Sequence, residues 1–144
     1  MGEKLVFDFH VVTHPEQISE MVTVNGKVKI IPFDGFVESE LFTGKILPGG
    51  ADVQITNTAG VRHMHACYMF EGTDYTGTPC KIFVDNNGYF MRDCAPKPFE
   101  TTPTIMTDSK ALEDYLHCAR FRAVGGRTPD DPYLHIKVYD IKGE

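Results

Sequence analysis

Residues 44–72 read GKILPGGADVQITNTAGVRHMHACYMFEG. Pro48-Gly49-Gly50 is a turn signal, because proline presets one backbone angle and glycine tolerates the left-handed one. After it, Ala51 to Asn57 and Val61 to Phe70 read as two strands, broken at Ala59-Gly60. In the second strand Val61, His63, His65, Cys67 and Met69 share one face. Arg62, Met64, Ala66, Tyr68 and Phe70 share the other, since side chains alternate along extended backbone.

The same pattern continues outward in both directions. Lys4 to Val12 alternates, with Leu5, Phe7, Phe9 and Val11 on one face, and ends at His14-Pro15. Val22 to Pro32 reads as a hairpin turning at Asn25-Gly26. Asp34-Gly35 reads as a further turn, followed by one long strand from Phe36 to Leu47. Downstream, Cys80 to Asp85 is a strand closed by Asn86-Asn87-Gly88, and Phe121 to Val124 and Tyr133 to Ile141 supply the last strands. Met91 to Pro103, with three prolines, reads as a loop. One helix is expected, capped by Asp108 or Ser109, with Ala111, Leu112, Tyr115 and Leu116 on its apolar face. Short strands joined by turns, several apolar on both faces, predict an all-β fold: a single antiparallel β-barrel spanning 1–144, with one short helix near the C-terminus.

A chain of 144 residues with 42% hydrophobic and 24% charged residues is ordinary for one globular domain. A net charge of −6, with 14 scattered basic residues, argues against a nucleic-acid surface. No apolar run is long enough to span a membrane, and no signal peptide is apparent, so a cytoplasmic location is expected. In that setting the four cysteines are expected to be reduced, and none pairs at C-x-x-C spacing.

Candidate chemistry rests on carboxylates and imidazoles. Glu38 and Glu40 share a strand face with Phe36 and Phe42, where a pocket would raise a carboxyl's pKa. Asp52 follows the Gly49-Gly50 turn with Gln54 on its own face, and is either a site residue or a turn cap. His63 and His65 point the same way and could hold a metal only with a third ligand, which Cys67 does not by itself settle. They read equally as histidines at a core edge. No nucleophile elbow or phosphate loop is present.

The stretch IIPFDGFVESELFTGKILPGGADVQITNTAGVRHMHACYMFEG (30–72), followed by KIFVDNNG (81–88), resembles the DUF3237 family, also called UPF0311. Ile31, Pro32, Gly35, Glu38, Gly44, Pro48, Gly49, Gly50, Ala51, Asp52, Gln54, Tyr68, Asn86 and Gly88 stand at matching places. The tail from Pro98 to Arg127 and from Tyr133 to Ile141 is similar to the family's closing segment. The sequence departs from the family pattern in places: Val53 replaces a usual Trp, His65 and Cys67 replace a frequent Asp and Arg, and the usual acidic turn reads Asp74-Tyr75-Thr76-Gly77. The resemblance implies a small antiparallel barrel, and some fungal relatives are associated with cofactor-free cyclisation.

These readings converge on a barrel whose lumen binds a small, partly apolar organic molecule. Asp52, Glu38 and His65 are the expected proton-transfer groups, and Glu40, Gln54, His63, Tyr68 and Asn86 the expected substrate-binding ones. A lyase or isomerase reaction without metal or cofactor is expected; a non-catalytic ligand-binding or accessory barrel and a cupin-like His-metal enzyme are the alternatives. The expected partner is a small-molecule ligand, with no nucleic acid and no membrane, and a homodimer is the assembly considered.

Overall fold

The computed structural model describes residues 3–91 and 98–142. The strands are β1 (Lys4–Thr13), β2 (Ser19–Thr23), β3 (Gly26–Glu38), β4 (Phe42–Ile46), β5 (Ala51–Asn57), β6 (Arg62–Asp74), β7 (Pro79–Phe90), β8 (Phe99–Thr107), β9 (Phe121–Gly126) and β10 (Leu134–Asp140). The helix α1 covers Glu113–Cys118. Pairing is antiparallel throughout, in the order β1-β10-β9-β8-β7-β6-β4-β3-β2. A further β1–β3 pairing closes the ring into an eight-strand barrel with two extra strands. β4 and β5 both bridge β3 to β6, β5 along Arg62–Thr56 to Cys67–Ala51 and β4 further on, and β2 lies outside the ring on β3. Among the described residues, no helix is long and apolar enough to cross a membrane.

Half of the lumen is filled by aromatic rings. Phe9 packs on Phe70 at 4.7 Å between centroids, and edge-on against Tyr68 at 5.9 Å. Phe33 meets Tyr68 at 5.0 Å, and Phe42 meets Phe70 at 6.4 Å. Val37, Phe70 and Val84 are wholly excluded from solvent. Burying one such ring contributes roughly 2–3 kcal/mol. That plug fills one half of the lumen and leaves the other half open.

Several local expectations are corrected by tertiary context. A register shift between Leu5 and Phe7 is a bulge: Leu5 turns to solvent and Val6 joins Phe7 in the core. The β2–β3 hairpin turns at Val24-Asn25, one residue early, with Gly26 already paired to Thr23. Asp34-Gly35 is not a turn but the middle of β3. A side chain at Gly35 would stand 2.2 Å from the His10 carbonyl oxygen, so glycine there lets β1 cross close enough to shut the barrel. The long strand expected from Phe36 to Leu47 is two strands, broken where Ser39 Oγ accepts the Phe42 N–H and donates to the Phe42 carbonyl. Asn86-Asn87-Gly88 is not a turn either, because β6 pairs with it residue by residue and overrides its turn propensity. The expected loop from Met91 to Pro103 contains the start of β8, and residues 92–97, Cys94 among them, lie outside the described residues. The helix is shorter than its apolar face predicts, preceded by a turn in which Ser109 Oγ accepts the Leu112 N–H.

Candidate functional site

The Pro48-Gly49-Gly50 turn, with Gly49 at φ 106°, delivers the chain into β5. Alternation then aims Asp52 and Gln54 into the open half of the barrel. The neighbouring β6 presents Arg62, Met64, Ala66 and Tyr68 on the same inner side, β7 presents Asn86, and β8 presents Thr101. Val11, Ile31, Phe33, Phe99, Leu134 and Ile136 complete a mostly apolar wall around a cavity of about 260 Å³. An apolar cavity of about 150 Å³ admits benzene, so this one has room for a substituted ring or a compact bicycle.

The polar groups inside are not self-satisfied. Gln54 donates to Asp52 Oδ2 at 2.8 Å. Asp52 Oδ1, the Tyr68 hydroxyl, Asn86 Oδ1 and Thr101 Oγ1 are all buried and have no hydrogen-bond partner among the described residues. All four belong to the cavity wall. Buried polar atoms are normally paired, so four orphans around one space call for something polar within it. Burial lifts the Asp52 carboxyl above its ordinary pKa, against the smaller pull of the Gln54 amide and the Arg62 charge. Burial, helped by Asp52, raises the Tyr68 phenol far above its ordinary value, so Tyr68 stays an O–H donor. The Arg62 guanidinium lies 5.8 Å from the Phe90 ring centre.

The other expected site residues are placed elsewhere. His63 and His65 leave β6 on its outer face, so His65 does not share a chamber with Asp52. The same alternation that puts Tyr68 inward puts both imidazoles outward. His63 Nε2 meets Asn87 Oδ1 at 2.9 Å and its ring stacks on Tyr89 at 4.4 Å. His65 Nε2 meets Asp85 Oδ1 at 2.7 Å. Glu38 sits at the exposed end of β3 over a separate outer depression with Lys45 and Glu71, and Glu40 is in the turn before β4. Of the expected residues, the barrel thus brings together Asp52, Gln54, Tyr68 and Asn86.

Thr101 and Phe99 were missed because prolines disguised the strand that carries them. Arg62, Met64 and Ala66 were legible as Tyr68's face-mates but carried no chemical signal of their own. A second polar cluster, outside the cavity, holds His135 between Asp8 (2.8 Å) and Asp131, with His10 stacked edge-on at 4.6 Å. Its hydrogen bond to Asp8, more than any other interaction, raises the His135 pKa.

Fold and site together define a closed antiparallel β-barrel with a ligand-sized, incompletely satisfied lumen. The chain belongs to the family described as "Protein of unknown function (DUF3237)", whose model matches residues 3–141. It is similar to a protein of unknown function from Clostridium acetobutylicum ATCC 824, with 26% identity, a TM-score of 0.76, and 98% of this chain and 99% of that one covered. A conserved protein of unknown function from Rhodopseudomonas palustris shares 24% identity at TM-score 0.73, over 96% of both chains. A β-barrel-like protein from Acinetobacter baumannii AYE shares 21% at TM-score 0.70, again over 96% of both. The last two likenesses speak for the fold alone. No curated protein matches the chain. Among the departures from the family pattern, Val53, His65 and Cys67 fall on the outer face and are not part of the cavity lining.

Proposed function

We propose that the barrel binds a small, mostly apolar organic molecule carrying hydroxyl and carbonyl groups, and that Asp52 moves a proton on it. The observation that carries this reading is the convergence of four orphaned polar atoms on one apolar cavity. Asp52 Oδ1 and Asn86 Oδ1 need donors, whereas Tyr68 and Thr101 have hydroxyl protons to give. A hydroxy-carbonyl compound on a single or fused ring supplies both. A carboxylate made more basic by burial is suited to taking a proton from carbon next to a carbonyl, with the Tyr68 O–H holding the oxygen where charge develops. Returning that proton at another carbon is an isomerisation, and expelling a β-substituent after proton loss is an elimination; neither needs a further reactant.

A thermal-shift screen of hydroxylated aromatic and alicyclic ketones tests binding, since a ligand at about 100 times its Kd stabilises by about 2.7 kcal/mol. Hits are expected to lose affinity in Tyr68→Phe. Deuterium exchange at the ligand's α-carbon, followed by NMR, is expected to need Asp52 and to stop in Asp52→Asn. Hits whose binding ignores Tyr68 would refute the site. The second reading, a binding barrel without catalysis, is favoured by Asp52 being the sole carboxyl, with no imidazole, among the described lining residues. Binding without exchange would select it.

A further inference from the structure

On the opposite side of β6 from the cavity, three unlike side chains converge. The β6–β7 register sets Cys67 directly across from Asp85, and His65 across from Asn87. His65 Nε2 lies 2.7 Å from Asp85 Oδ1 and 3.2 Å from Cys67 Sγ, and Cys67 Sγ lies 3.8 Å from Asp85 Oδ1. We propose that His65, Cys67 and Asp85 form a three-ligand site for a divalent transition-metal cation of the zinc type, outside the barrel and independent of the lumen.

Geometry separates this from the two simpler readings. In a Cys-His-Asp catalytic relay the imidazole uses one nitrogen for the thiol and the other for the carboxylate. Here a single nitrogen, Nε2, faces both, so no proton can be relayed through the ring; the three donors instead surround one point. A plain surface His–Asp ion pair, for its part, has no need of the thiol, and such pairs contribute about 0–1 kcal/mol.

The triangle is also the right size. Ligands at about 2.1–2.3 Å from tetrahedral zinc lie about 3.4–3.7 Å apart, so each edge here needs to change by under about 1 Å. One sulfur, one imidazole nitrogen and one carboxylate oxygen suit a borderline-soft ion rather than calcium or magnesium.

The surroundings are arranged to hold the carboxylate. Asn87 Nδ2 donates to Asp85 Oδ1 at 3.1 Å, and Asn87 Oδ1 meets His63 Nε2 at 2.9 Å, a chain of outer contacts of the kind that orients metal ligands. His65 and Asp85 are 41% and 37% exposed, which leaves a path for the ion and a fourth position for water.

Cobalt(II) titration of the untagged full chain tests the site. The expected result is one cobalt per chain, with a thiolate charge-transfer band and tetrahedral visible bands, displaced by zinc. Cys67→Ala is expected to abolish the charge-transfer band, His65→Gln to cut affinity at least tenfold, and Cys118→Ser to change neither. Far-UV circular dichroism establishes that each variant is folded, and His65→Gln alters an exposed side chain, so the test survives a failure of Cys67→Ala to fold. Absence of a cobalt–thiolate band in the wild-type chain, its persistence in folded Cys67→Ala, or unchanged affinity in His65→Gln would each overturn the proposal.

Discussion

Tyr68 and Asp74 lie six residues apart on β6, both buried and both polar, with the fully buried Phe70 between them. Asp74 is enclosed by partners. Its carboxylate accepts the Ser109 hydroxyl at 2.6 Å, the Thr76 hydroxyl at 2.5 Å, and the N–H groups of Thr76 and Thr78 at 2.9 and 3.2 Å. Tyr68 and its neighbours Asp52, Asn86 and Thr101 each leave an atom without a partner among the described residues. A closed buried network specifies and stabilises a fold, whereas an open one is held in place by the rest of the structure and waits on something else. The aromatic plug separates the two ends of the barrel, so the closed network and the open cavity lie in different halves of one strand.

The largest effect is expected from opening the closed half. Ser109→Ala removes the hydroxyl that donates to Asp74 and accepts the Leu112 N–H. Loss of the turn cap alone costs about 1 kcal/mol, and the unpaired carboxylate oxygen adds to that. The urea midpoint is expected to fall clearly; an unchanged midpoint would mean that the network does not stabilise the fold.

The same deletion in the open half is expected to behave differently. Tyr68→Phe removes a buried hydroxyl with no partner among the described residues, so the ligand-free protein is expected to be unchanged or more stable by up to about 1 kcal/mol. A drop in stability as large as that of Ser109→Ala would show that the hydroxyl is already satisfied, and would remove the contrast between the two halves.

Acid titration sharpens the comparison, because the two aspartates shift in opposite directions. Hydrogen bonds, from Ser109 first, hold Asp74 down to about 2. Its contribution is therefore complete above the unfolded value of about 3.9 and is lost as pH falls through about 2. Asp52 is raised by burial, so its contribution is complete below about 3.9 and is lost as pH rises through the elevated folded value. Asp52→Asn is expected to flatten the decline in stability as pH rises above about 4, and Asp74→Asn the decline on the acid side. Urea melts across that range read both, and equal pH profiles for the two variants would refute the assignment.

How far this division was legible in the sequence depended on whether a signal was local. The Pro48-Gly49-Gly50 turn and the alternation after it put Asp52 and Gln54 on one face, and Tyr68 on the face of β6 that lines the same cavity, because period-two alternation follows from backbone geometry alone. It also set His65 on the face of β6 opposite Tyr68, and chemical appeal rather than geometry set it beside Asp52. Gly35 and Asn86-Asn87-Gly88 were misread as turns because their roles come from β1 and β6, strands distant in sequence that make close approach and ladder pairing possible. Thr101 was hidden for the same reason. Its strand is defined by its β7 and β9 partners, not by its own proline-rich sequence.

The smallest expected effect completes the contrast by testing a carboxylate that belongs to neither half. Glu38 is exposed at the end of β3, over an outer depression whose charged members are Lys45 and Glu71. With no enclosing network and with water on one side, its charge interacts weakly and is screened within about 8–10 Å at ordinary salt. Glu38→Gln is expected to shift stability by no more than about 0.5 kcal/mol and to leave affinity for a lumen ligand unchanged. Calorimetric titration of Glu38→Gln beside Tyr68→Phe with the same ligand makes the measurement. A tenfold loss in the Glu38 variant would mean that the outer depression, and not the lumen alone, takes part in recognition.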